Sequence, residues 1–280
     1  MVNTTTPWQG TLELTYGLRQ GKTQIIHNFA QAPLKFQIPF YPEDPSICHS
    51  VILHTAGGMV GGDRLQQNIM LAPHTNSLIT TAAAAKVYRS QGEQVINNIN
   101  IKMAQGSSLE WLPQTTILFN GAAYSQTMRV ELAENANFCG WEIMRLGRSA
   151  RGEKFLSGKL KSHLEIWLAD KPLWIDRQNL PGSKDIFDSP HGLDNKPVVG
   201  SLIWLGIPVK SETITHLRYL WSKLNYKADA GLSLTANDGV ICRYRGYSTT
   251  EVRNWFTQVW HYLRNSLQDR PMIKPRVWFV

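Results

Sequence analysis

Cysteine is scarce in this chain. Cys48, Cys139 and Cys242 are its three thiols, an odd number that leaves no disulfide framework and no paired spacing for a zinc site. Each reads as a small buried apolar residue, and a reducing cytoplasm suits such usage best. The eight histidines show no His-x-His, His-x-x-His or His-Glu-x-x-His spacing, so nothing local supports a catalytic zinc. Cys48 and His49 are neighbours, but adjacent residues of a strand point to opposite faces and seldom cooperate. Gly-x-Ser-x-Gly is missing too, so no strained turn announces a nucleophile. No apolar run approaches the ~20 residues that cross a bilayer. The opening Met-Val-Asn-Thr-Thr-Thr has neither the basic nor the apolar region of a secretory signal. Charged residues make up 18% and apolar residues 42% of the 280 positions, which describes an ordinary globule with a large core, as one big domain or two small ones.

Charge of one sign is concentrated. The net charge is +8, and residues 145–161 contribute Arg145, Arg148, Arg151, Lys154, Lys159 and Lys161 against Glu153 alone. Residues 243–276 carry Arg243, Arg245, Arg253, Arg264, Arg270, Lys274 and Arg276 against Glu251 and Asp269. Such stretches either steer an acidic partner or form a solvated face. Neither sits in a nucleic-acid-binding pattern.

Short β-favouring runs fill the chain to about residue 205: Thr11–Tyr16, Gln24–His27, Val51–His54, Ser77–Thr80, Thr116–Phe119 and Leu164–Leu168. Turn residues punctuate them at Gln20-Gly21, Ala72-Pro73, Gln105-Gly106, Asn120-Gly121 and Pro181-Gly182. Many short strands at near-regular intervals predict a sandwich, a barrel or stacked sheets. Residues 181–197 read as a loop. Helical periodicity is clear twice. Ile214, Leu217, Trp221 and Leu224 share one face after Ser211, a plausible N-cap; Val252, Phe256, Val259, Leu263 and Leu267 share another after Ser248 or Thr249, with Pro271 ending the run. Both stripes are expected to face the core.

The segment His54–Leu65 is the most unusual stretch. Gly57-Gly58 and Gly61-Gly62 bracket Met59-Val60, and Asp63 follows at once. So many glycines cost chain entropy, which points to a backbone path that other residues could not follow. A phosphate loop is excluded because Asp63 stands where the phosphate-neutralising lysine belongs. The dinucleotide fingerprint fails because Met59 occupies its second glycine position.

These residues resemble the signature of the UreD (UreH) family of urease accessory proteins. The resemblance includes Pro39-Phe40-Tyr41-Pro42, Ala85–Ser90, Leu109–Gln114, Leu146-Gly147-Arg148 with Gly152-Glu153 and Phe155, and Pro275-Arg276-Val277-Trp278. The blocks run in the family's order almost end to end. One departure is visible: Thr55-Ala56 stands where the family often has Pro-Pro. The resemblance implies a mostly β fold of stacked sheets built from many short strands, with two α-helices in the C-terminal third. One domain would span 1–280, strand-rich over 1–205 and helix-containing over 206–280. It also implies a non-enzymatic maturation scaffold that binds apo-urease and the UreF–UreG complex, with no catalytic residue and no tightly bound cofactor. Nickel(II) in transit would be its cargo, in the cytoplasm, without nucleic acid or membrane as a partner. A hydrolase with a spatially assembled site, or a nucleic-acid binder using the basic stretches, are the rivals.

Four acids stand among bulky apolar residues: Asp63, Glu110, Glu142 and Asp176. Carboxylates in such places are seldom buried unless paired or hydrated. One reading gives each a structural partner, an arginine such as Arg64, Arg145, Arg148 or Arg177, or a turn contact for Asp63. The other, which the resemblance implies, strings them along a hydrated nickel passage, where oxygen ligands hold the ion weakly enough to release it. Gly57, Gly58, Gly61 and Gly62 then form the signature loop, and Arg148, Arg151 and Lys154 are expected to face a partner.

Overall fold

The chain winds back and forth between two sheets, and this is why its strands are short and its turns frequent. The computed structural model describes residues 7–237 and 239–279; the reading of Met1–Thr6 lies outside them. The first sheet has the order β14 (Lys171–Pro181), β13 (Lys159–Leu168), β11 (Ala123–Leu132), β8 (Val95–Met103), β5 (Arg64–Leu71), β1 (Gln9–Arg19), β2 (Lys22–Gln31). The second runs β16 (Asp229–Leu234), β17 (Val240–Gly246), β15 (Val198–Leu205), β12 (Asn137–Leu146), β9 (Ser108–Trp111), β6 (Asn76–Thr81), β4 (Ile47–His54), β3 (Leu34–Phe36). Two short strands, β7 (Ala85–Val87) and β10 (Thr116–Leu118), attach beside β12.

From β4 to β13 the chain alternates between the sheets. Each circuit adds a parallel strand to one or both, so β1, β5, β8, β11 and β13 are all parallel. So are β4, β6, β9 and β12. Antiparallel hairpins are confined to the ends. At Gln20 (φ 52°) and Gly21 (φ 75°) the backbone is left-handed at both turn positions, the geometry that matches the twist of a two-residue hairpin between β1 and β2.

Period two sorts the side chains into layers. Along β5, Leu65, Gln67, Ile69 and Leu71 point inward while Arg64 and Met70 are exposed. On β12, Phe138, Met144 and Leu146 join the core between the sheets. Cys139, Trp141 and Ile143, from the other face of the same strand, join a second core beneath the helices. That second core is closed by α2 (Ser211–Lys223) and α3 (Thr249–Gln268). Val252, Phe256, Val259 and Leu263 of α3 are buried, as are Ile214 and Leu217 of α2, so both stripes face the core as expected. The Ser248 hydroxyl accepts from the Glu251 N–H and caps α3, which ends at Asp269 in the left-handed region. The Trp278 indole donates to the Thr80 hydroxyl at 3.0 Å and packs against Trp141 and Trp260, which seats the C-terminal segment on the second sheet.

Two local expectations are corrected. Ser211 is the first residue of α2; Lys210 holds the N-cap position without a side-chain bond. The loop at 181–197 contains a one-turn helix, α1 (Lys184–Asp188), capped by Ser183. The helix-containing part after residue 205 also holds β16 and β17, which lie between the two long helices and extend the second sheet. No helix among the described residues is long and apolar enough to cross a membrane.

Candidate functional site

The glycine segment is a loop tied to its neighbour by backbone bonds. Met59 N–H donates to the Lys86 carbonyl at 2.8 Å, Tyr88 N–H donates to the Met59 carbonyl at 2.9 Å, and the Tyr88 hydroxyl donates to the Gly57 carbonyl. Close approach, more than positive φ, requires glycine at 58, 61 and 62, whereas Gly57 has room for a Cβ. Gly62 has φ 92°, but a Cβ on Gly61 would lie 2.7 Å from the Glu93 carbonyl oxygen, and one on Gly58 would lie 2.5 Å from the Tyr88 ring. Gly61→Val is therefore expected to unseat the loop at a cost of about 1–3 kcal/mol. A thermal unfolding midpoint equal to that of the wild type would show that the loop has room to spare.

Asp63 anchors this loop. Its carboxylate is fully buried and accepts from the backbone N–H groups of Trp8 at 2.8 Å and Val60 at 2.9 Å. Glu110 is equally committed, accepting from the Trp260 indole at 3.1 Å and pairing with Arg264 at 3.0 Å. Both acids thus have structural partners, and neither lines the cavity described next.

Between the sheets lies a cavity of about 200 Å³, room for several waters. One end is rimmed by Ala56, Gly57 and Gly58 and by Ala82–Ala85; the other reaches Trp174, Asp176 and Ser201. Its polar wall comes from single polar residues placed in inward slots of otherwise apolar strands. Asn97 on β8, Gln126 on β11 and Ser162 on β13 are register partners, so they form one rung across the first sheet. Glu142 on β12, Ser201 on β15 and Arg243 on β17 form a second rung on the facing sheet.

Hydrogen bonds connect the rungs. Gln67 donates to Asn97 at 3.0 Å, and Asn97 donates to Tyr124 at 3.1 Å and to Gln126 at 3.0 Å. The Gln126 amide then crosses to the Glu142 carboxyl, which also accepts from the Ser162 hydroxyl at 2.9 Å. Burial, reinforced by the nearby negative charge of Asp176, pushes the Glu142 carboxyl up to about 7 against the weaker pull of Ser162, Arg243 and Gln126. Asp176 pairs with Arg243 at 2.6 Å, not with its neighbour Arg177. Two of the four singled-out acids, Glu142 and Asp176, therefore meet at one end of the cavity. The amides and hydroxyls beside them had a legible signal that composition hides: a lone polar residue in the apolar phase of a period-two run.

The basic residues differ among themselves. Arg148 is held in a two-point pair by Glu153, at 2.8 and 2.9 Å, with its guanidinium 4.5 Å from the Phe119 ring centroid. This arrangement shapes the turn that carries Arg148. Lys154 lies over Phe187, and Arg151 is exposed. All three cysteines are free and buried. Cys48 and His49 do not cooperate: His49 contacts Glu43 at 2.6 Å while Cys48 faces Ser50. Among the described residues no three of His, Cys, Asp and Glu converge as a metal centre.

Fold and site define a class: a scaffold of two stacked sheets around a polar internal cavity, with helices covering one face. A family model described as UreD urease accessory protein matches residues 9–279. The chain is 59% identical over 97% of its length to a urease accessory protein UreD from Nostoc sp., covering 96% of that protein. It is 59% identical to the counterpart from Nostoc punctiforme, covering 98% of this chain and 96% of that one. The Microcystis aeruginosa counterpart is 52% identical, covering 97% and 98%. The chain belongs to the UreD family of urease accessory proteins, and urease maturation is the role that goes with that membership.

Proposed function

We propose that this chain is a cytoplasmic, non-enzymatic scaffold that binds apo-urease and the UreF–UreG complex and passes nickel(II) through the cavity between its sheets. The observation that supports this reading most is the pair of facing polar rungs. Carboxylate, amide and hydroxyl oxygens from Glu142, Asp176, Gln126, Ser162 and Ser201 line one space. Oxygen ligands of this kind hold nickel less tightly than imidazole or thiolate, and water can replace any one of them. A hydrated ion can therefore exchange contacts along such a wall without becoming trapped. Asp63 and Glu110, with their other partners, are left out of the path. Exposed Arg151 and Lys154 suit an acidic partner surface, through attraction screened over ~8–10 Å at physiological salt.

The test replaces two carboxylates at constant shape. In the Glu142→Gln, Asp176→Asn double variant, the scaffold is expected to co-purify with urease and UreF, while the recovered urease contains several-fold less nickel. Metal analysis of the purified urease decides. Full nickel loading with the complex intact would overturn the passage, and loss of the complex would mark the acids as structural.

A further inference from the structure

Arg243 occupies a position that its register does not require. Its neighbour on the second rung, Ser201, lies in the same sheet, but the guanidinium also reaches Asp176 on β14 of the opposite sheet. One terminal nitrogen makes both contacts: Nη1 donates to Asp176 Oδ2 and to Ser201 Oγ, each at 2.6 Å. The pair straddles a boundary. The Arg243 side chain is 41% exposed and that of Asp176 14%, while Asp176 and Ser201 both line the cavity. The guanidinium stands 5.9 Å from the ring centroid of Trp174, another wall residue. The sheets are pinned close by, because the Asn237 side chain donates to the Leu173 carbonyl at 3.1 Å. That bond ties the two sheets together beside the pair, while the guanidinium is carried on a long side chain with several rotatable bonds. Since both bonds use one nitrogen, rotation of the distal side chain breaks them together.

We propose that Arg243 is a specificity-determining gate, closing the Asp176 end of the cavity and yielding its place only to a divalent cation. The charge arithmetic is simple. A monovalent ion that displaces the guanidinium exchanges one positive charge for another and surrenders hydration without gain. A divalent ion brings twice the charge and meets the Glu142 carboxyl on the same rung, whose other partners, Gln126 and Ser162, are neutral. Such an ion is repaid for displacing Arg243. The choice of cargo rests on the nickel passage proposed above; the closure of the cavity end does not.

Two measurements on the full chain test this. A cysteine placed at the second rung's facing position, Ser162→Cys, is treated with 2-aminoethyl methanethiosulfonate, with the parent chain and its three buried cysteines as background. Adding Arg243→Gln is expected to speed modification about tenfold, equivalent to about 1.4 kcal/mol of closure, and Arg243→Lys is expected to restore slow modification. In equilibrium dialysis against nickel(II) chloride, R243Q should retain about tenfold more nickel at low concentration, again about 1.4 kcal/mol, because no internal cation has to leave. Sodium chloride, compared with choline chloride at equal ionic strength, should displace nickel from R243Q and not from the wild type. Wild-type modification and retention in R243Q overturn the gate. Failure of the cargo reading appears separately, as fully loaded urease from the Glu142→Gln, Asp176→Asn chain; that result removes the divalent selectivity, while the modification rates still decide closure.

Discussion

Replacing Arg264 by methionine will cost the fold about 3–5 kcal/mol, the penalty for stripping one partner from a buried ion pair. Arg264 is fully buried in α3. Its guanidinium bonds Glu43 at 2.5 Å, pairs with Glu110 at 3.0 Å and donates to the Pro271 carbonyl at 2.8 Å. It therefore joins the helix to the second sheet and to the segment before β4. The two acids respond to this place in opposite ways. Burial works against ionisation of Glu43, but hydrogen bonds from His49 and Arg264 outweigh it and hold its carboxyl below the usual range. Burial dominates at Glu110 and pushes its carboxyl up despite the same arginine. Methionine fills the space and leaves Glu43 with His49 alone. Against a typical net stability of about 5–15 kcal/mol, such a loss predicts little soluble R264M protein and a greatly lowered urea midpoint. If uncompensated charge is the cause, adding Glu43→Gln and Glu110→Gln to R264M should recover much of the stability. An R264M midpoint matching the wild type would refute the account.

Neither this ion pair nor the cavity could be read directly from the chain, for one reason. The partners are 221 and 154 residues apart in sequence for Glu43 and Glu110, respectively, as Arg264 minus each number shows, and sequence spacing reports only contacts within an element. Within elements it reports well. The inward phases of β1 and β13 and the buried stripes of α2 and α3 follow from periods of two and 3.6. The Gln20-Gly21 turn and the Ser248 cap were equally legible, because their chemistry is local. β16 is hard to read because Gly231, Ser233 and the exposed Leu234 blur its alternation, whereas β17 carries a legible period of two, with Arg243 and Arg245 alternating with buried residues. The acids were identified by their apolar neighbours, a criterion that selects burial without revealing its purpose. It found the loop anchor Asp63 and the core acid Glu110 beside the cavity pair Glu142 and Asp176. Only the register, Glu142 opposite Ser201 and Ser201 opposite Arg243, separates the two kinds.

Glu142→Gln is expected to stabilise the chain at alkaline pH, and the gain should vanish in acid. The carboxyl lines the cavity and accepts from Gln126 and Ser162; burial away from bulk solvent is the main reason its pKa is carried from 4.5 to about 7. Below about pH 4.5 the group is neutral whether the chain is folded or not, so its full contribution is present. As pH rises further, the unfolded chain ionises while the folded chain keeps its proton, and stability falls until the folded group ionises near pH 7. That interval corresponds to a loss on the order of 3 kcal/mol, trimmed by whatever water the cavity admits. Glutamine keeps the shape and can still accept from Gln126 and Ser162, yet has no charge to bury. Subtraction of the two stability curves cancels the opposing contributions of Glu43 and Glu110. The difference should grow from about pH 5 and level off by about pH 8 in urea unfolding of wild type and variant. Parallel curves would mean that the cavity solvates its carboxylate fully. A rising difference would mean that the chain keeps, at a cost in its own stability, an acid that Arg243, itself paired with Asp176, offsets only in part. A divalent cargo would supply the missing charge.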